Sequence, residues 1–157
     1  MKGEIGAAGM LRQVLAVIVG YVVMFAIVFV TFTAAYFAMG ADRAFRPGTY
    51  DISVLWIVVS VVVGLGAAAA GGFVCAKLSK GGRAHLALAV LVLVLGLLMA
   101  AGQVVAPKPD PGVRGPEVSN MEAMMKAQPP LWAALINPII GTVGVLAGAR
   151  PAFNRRP

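Results

Sequence analysis

Residues 54–76 read VLWIVVSVVVGLGAAAAGGFVCA, a run of 23 residues without one charge, and its interpretation decides the fold. In water the glycines at 64, 66, 71 and 72 would weaken a helix, whereas between membrane helices small residues let two backbones approach closely. Gly64, Ala68 and Gly72 recur at four-residue spacing and therefore share one helix face. That face is a groove for a neighbouring helix, and the rest of the chain supplies the neighbours.

Three more apolar runs are long enough to cross a bilayer, which needs about 20 residues of helix. The predicted spans are 13–39, 54–76, 84–106 and 131–149, within a single transmembrane domain covering residues 1–157. The first run follows Lys2 and Arg12 as a signal peptide would, but it exceeds the roughly 7 to 15 apolar residues of a signal core and is expected to stay attached. With 60% hydrophobic and 12% charged residues and a mean hydropathy of +0.89, the composition excludes an ordinary soluble domain. The fold class is an all-α integral membrane protein, a four-helix transmembrane bundle.

The connections are short. Residues 40–53 form a first outer loop, with Tyr36, Phe37, Phe45 and Tyr50 placed where an aromatic belt meets headgroups and Arg46-Pro47-Gly48-Thr49 as turn chemistry. Residues 77–83 form a glycine-containing connector that predicts a tight antiparallel hairpin between the second and third spans. Residues 107–130 form the second outer loop, opening with Pro107, Pro109, Pro111 and Pro116, which no continuing helix accepts. Ser119 followed by Glu122 is a capping-box pattern, and Glu122 and Lys126 are an i,i+4 pair, so a short amphipathic helix is expected there. Met121, Met124 and Met125 fall on one side of it and are a candidate outer docking face.

The net charge of +7 follows topology. The N-terminal segment carries +1, the connector 77–83 carries +3 and the tail after residue 149, with Arg150, Arg155 and Arg156, carries +3, while both outer loops are neutral. The positive-inside rule then places both termini and the connector in the cytoplasm, with the bundle in the cytoplasmic (inner) membrane. The basic excess is a topology signal and a contact with anionic lipid rather than a sign of nucleic-acid binding.

Helical phase at about 100° per residue sorts each span into an inward and an outward face. The inward face of the second span carries Ser60, Gly64, Ala68, Gly71 and Cys75, beside Gly72; that of the fourth carries Ala133, Asn137, Gly141, Gly144 and Gly148. The first contributes Gln13, Gly20, Met24, Thr31 and Ala38, and the third His85, Ala89, Gly96, Ala100 and Gln103. The packing residues are thus Gly64, Ala68, Gly71, Gly72, Gly141, Gly144 and Gly148. Thr31, Ser60, Gln103 and Asn137 share the outer part of the bundle, one from each span. They form either a layer of interhelical hydrogen bonds, each worth about 0.6 to 2 kcal/mol, or the lining of an outward-facing pocket. Asn137 precedes Pro138, whose missing N–H frees the carbonyl of Ala134 and bends the helix. Leu55-Trp56 and Leu131-Trp132 open the second and fourth spans alike, hinting at two tandem hairpins in the same orientation.

No charged residue lies within a span, which disfavours ion-coupled transport. No set of residues assembles a nucleophile with its base, paired carboxylates or a phosphate loop, so no catalytic residue, cofactor or metal is assigned. The single cysteine, Cys75, excludes an intrachain disulfide. The three loop methionines could in principle offer soft sulfur to Cu(I), but methionine is also a flexible apolar contact, and the latter is expected. The expected function is that of a non-catalytic accessory or interaction subunit, partnered by the lipid bilayer and by a membrane protein or a second copy. The alternative is a passive channel or small-solute protein using the polar layer.

Overall fold

The computed structural model describes residues 6–80, 83–105, 112–115 and 117–154. Lys2 and Glu4, the connector glycines Gly81 and Gly82, the prolines Pro107, Pro109, Pro111 and Pro116, and the tail residues Arg155 and Arg156 lie outside the described residues. Four helices are long and apolar enough to span a membrane: α1 (Ala7–Met39), α3 (Val54–Leu78), α4 (Ala84–Val105) and α6 (Leu131–Asn154). Two short helices, α2 (Ala41–Ala44) and α5 (Asn120–Met125), lie in the connections. The chain is a multi-pass membrane protein built as an all-α four-helix bundle.

The helix boundaries follow local chemistry. Gly40 ends α1 at φ +70°, a left-handed conformation that glycine adopts without strain, and its N–H donates to the Tyr36 carbonyl. Ser53 caps α3 by accepting from the Trp56 N–H at 3.1 Å while its own hydroxyl donates to the Arg43 carbonyl at 2.6 Å. Ser119 caps α5 by accepting from the Glu122 N–H at 3.2 Å, and the Lys126 ammonium bridges Glu122 at 2.9 Å, which raises the Lys126 pKa. Ser119→Ala should therefore cost about 1 kcal/mol and fray α5. Amide exchange over residues 120–126 would read this out, with Ser119→Asp retaining protection. At the other extreme α1 begins six residues before its expected start, and α6 continues through Pro151 past its expected end at Ala149. Neither Arg12 nor Arg150 stops a helix; each extends the span beyond the apolar core.

In cross-section the order around the bundle is α1, α3, α6, α4. The close pairs are α1 with α3, α3 with α6 and α4 with α6, while α3 and α4 meet only sparsely. The expected hairpin of the second and third spans is thereby corrected: the antiparallel partner of α3 is α1, and that of α4 is α6. Five residues between helix ends can stretch roughly 17 Å, so the connector reaches a diagonal neighbour. The positions on either side of it are taken by helices whose small residues fit better.

The tightest contact joins α3 and α6, which run in parallel. A Cβ on Gly72 would run into the Val145 backbone, one on Gly148 into the Ala69 backbone, and one on Gly144 would lie 2.6 Å from the Ala68 Cβ. These contacts obey a local twofold rule, because residues 68, 69 and 72 correspond to 144, 145 and 148, each 76 positions further along, as Trp56 does to Trp132. The symmetry stops at the pair. Around α3 the α1 contacts through Gly71 and Cys75 lie on one side of the α6 face, and around α6 the α4 contacts through Pro138 and Thr142 lie on the opposite-handed side. Both α1 and α4 therefore cover the same flank of the α3–α6 pair, and the tandem hairpins are not symmetry mates.

That covered flank holds the core. Ala16, Ala68, Cys75, Ala84, Leu88, Ala89 and Val145 form one buried cluster, with Leu88 at its centre against Gly20. It belongs to the end of the bundle that carries Arg12, Lys77, Lys80, Arg83 and Arg150, hereafter the basic end. Arg12 Nε donates to the Leu78 carbonyl at 2.8 Å and ties α1 to α3 there. The opposite end is capped by the connections.

Candidate functional site

The cap is a folded unit rather than a pair of loops. Phe45 and Ile52 form an antiparallel bridge, Asp51 and Gln128 a parallel one, and the Gln128 N–H donates to the Tyr50 carbonyl at 2.9 Å. Tyr36, Ala41, Ala44, Phe45, Tyr50 and Ala123 make a second buried cluster, closed by Ile52, Trp56, Val118 and Ala127. Tyr36 packs edge-on against both Phe45 and Trp56, and Phe32 meets Trp56 one turn below. Tyr36, Phe45 and Tyr50, expected as an aromatic belt against headgroups, are instead the interior of this cap; Phe37 is exposed. Enough of the connections folds together here to bury them.

Arg114 fastens the cap. Its side chain is only 8% exposed, and it donates from Nη1 to Asp42 Oδ1 at 2.9 Å and from Nε to the Thr49 carbonyl at 3.2 Å, while its backbone N–H donates to the Gly48 carbonyl. Arg114 thus lies against the connection between α1 and α3. Arg114 carried no mark in the sequence beyond being one charge in a neutral loop.

The four polar residues expected as one inward layer are not brought together. Thr31 is half-buried on α1, and Ser60 is half-buried with its hydroxyl donating to the Trp56 carbonyl of its own helix at 2.7 Å. Gln103 is exposed near the end of α4, and Asn137 is exposed on α6. No hydrogen-bonded layer joins them; Ser60 turned to its own backbone, as serine in a helix commonly does.

Asn137 is the informative exception. It lies within about 20° of Gly144 in helical phase, so it points along the face that touches α3, and yet it is exposed. On the facing helix a Cβ at Gly64 would meet nothing within 4 Å. The outermost contact of Gly144 is with Leu65. Beyond that level the α3-facing side of α6 is open at Asn137 and covered again one turn nearer the cap, at the buried Ala133. Met99 shows the same behaviour on α4: about 20° from Leu88 in phase, it is 74% exposed where Leu88 is wholly buried. The two hairpins are packed together at the basic end and bridged by the cap, with an opening between them marked by Gly64, Asn137 and Met99. Pro138 sits against Gly96, 2.6 Å from where a Cβ there would lie, and Thr142 donates to the Pro138 carbonyl at 2.8 Å, so α4 and α6 stay in contact at this level.

Of the expected packing residues, Ala68, Gly71, Gly72, Gly144 and Gly148 lie at close approaches inside the bundle, and Gly141 faces Val92 of α4. Gly64 does not: its groove faces that opening. Met121, Met124 and Met125 are all exposed, on the side of α5 opposite the fully buried Ala123. Among the described residues no three His, Cys, Asp or Glu side chains lie together. His85 is half-buried at the start of α4. No known protein family, curated protein or solved structure matches the chain.

Proposed function

We propose that the chain is a non-catalytic accessory subunit of a membrane complex and that the opening between its hairpins receives a transmembrane helix of another membrane protein. The observation that carries this is Asn137. An amide left in hydrocarbon without a partner costs several kcal/mol, whereas an interhelical hydrogen bond would return about 0.6 to 2 kcal/mol and fix a register. Gly64 beside it offers the small-residue surface along which a foreign helix packs closely. The exposed methionines of α5 stand at the same end of the bundle and provide an adaptable apolar contact for the partner's outer segment. In this proposal the protein sits in the cytoplasmic membrane with its termini and the basic connector inside, as the charge distribution favours.

The passive-channel alternative would draw on the same opening. It finds less support, because the Ser60 hydroxyl is engaged with its own helix and Gln103 stands at a helix end.

A photo-reactive benzoylphenylalanine at position 137, irradiated in intact cells, should give discrete adducts heavier than the chain. The same probe at Val90, on the exposed face of α4, should give none of them. Identical patterns from both positions would overturn the proposal.

A further inference from the structure

The basic end carries a feature that the proposed partner does not use. Between α1 and α4 a cleft of about 280 Å³ is lined by Met10, Gln13, Val14, Val17, Ala84 and Ala87, with Gln13 the single polar side chain. It runs from Met10 to Val17, about 10 Å along α1. That is too short for a helix–helix interface and suits a flexible hydrocarbon chain.

Charge identifies what kind of molecule brings that chain. Arg83 immediately precedes Ala84, so a cation adjoins the cleft where α4 begins, whereas Arg12 lies on the far side of α1 and reaches α3. Lys77, Lys80 and Arg150 lie at the same end, and none of the described carboxylates does: Asp42, Asp51, Glu117 and Glu122 all belong to the cap, together with both ion pairs. Arg12 and Lys77 are partly engaged, by the Leu78 carbonyl and by the Phe73 ring 4.8 Å away. Arg83 and Lys80 are exposed around the turn that leads into α4.

We infer that this cleft is a binding site for one anionic phospholipid, an acyl chain lying between α1 and α4 and the phosphate held at Arg83. The inference does not depend on the partner helix. A zwitterionic lipid would place the same chain in the cleft but bring no net negative charge to Arg83 and the other cations of this end.

The test uses full-length protein in mild detergent, incubated with equimolar phosphatidylglycerol and phosphatidylcholine of identical acyl chains and analysed by native mass spectrometry. Retention should favour phosphatidylglycerol, and Arg83→Gln should reduce the preference about fivefold. Ala87→Trp or Val14→Trp, each filling the cleft from one side, should abolish the retained adduct, while Leu98→Trp on the exposed face of α4 should not. Failure of Cys75, which is fully buried, to react with maleimide certifies that each variant remains folded. Equal retention of the two lipids, or retention unchanged by both cleft-filling variants while they stay folded, overturns the inference.

Discussion

Gly148→Leu is expected to separate the two hairpins at the basic end, with a loss of about 3 kcal/mol or more. A side chain there meets the Ala69 backbone, which has no rotamer to change, so α3 and α6 must move apart. Overpacking of a well-filled core usually costs about 1 to 3 kcal/mol, and a clash with backbone belongs at the top of that range. Because Cys75 lies in the cluster that this contact closes, its reaction with maleimide should accelerate in the variant, and unfolding should shift to milder denaturant. Gly72→Leu, against Val145, should behave alike. By contrast Gly64→Ala meets open space and should be neutral or stabilising by up to about 1 kcal/mol from helix propensity. Gly64 and Gly144 are both packing residues by sequence, and the structure separates them: only Gly144 meets a neighbouring helix.

Arg114→Leu should undo the cap while leaving the basic end intact. It removes the ion pair with Asp42 and the hydrogen bond to the Thr49 carbonyl, and the latter, a bond to a charged donor, is worth about 1.5 to 3 kcal/mol. Asp42 is 93% exposed, so Asp42→Asn should cost less than about 1 kcal/mol. Faster exchange of the Gln128 amide, which donates across to Tyr50, together with altered Trp56 fluorescence, would report the loss. Cys75 should stay protected throughout. Simultaneous exposure of Cys75 would mean that the cap and the bundle are one cooperative unit, contrary to the two separate clusters seen.

The helices were legible from residue chemistry because membrane spans announce themselves by length and apolarity, and α5 because Ser119, Glu122 and Lys126 make a local pattern. The glycine faces of α3 and α6 were legible too, since four-residue spacing needs no knowledge of the neighbour. Helical phase, however, says where a side chain points and not whether another helix is still there. Asn137 has the phase of Gly144 and the exposure of a perimeter residue, while Ala133 on the same face is buried, so phase could not locate the opening. The diagonal relation of α3 and α4 was equally invisible, as a short connector is compatible with adjacent and diagonal partners. Nor could phase foretell the cap, whose closure depends on Arg114 reaching 72 residues back in the chain to Asp42.

α3 and α6 touch near the basic end, and the α3-facing side of α6 opens at Asn137. Oxidative cross-linking in membranes tests this directly, since a disulfide requires Cα atoms about 4.4 to 6.8 Å apart. Ala68→Cys with Gly144→Cys should cross-link, because their Cβ positions lie 2.6 Å apart and a shift of about 1 Å brings them to the disulfide range of about 3.5 to 4.5 Å. Val61→Cys with Asn137→Cys, each seven residues nearer the cap, should remain reduced. Efficient disulfide formation at the second pair would show the two helices in contact at the level of Asn137 and would rule out the opening there.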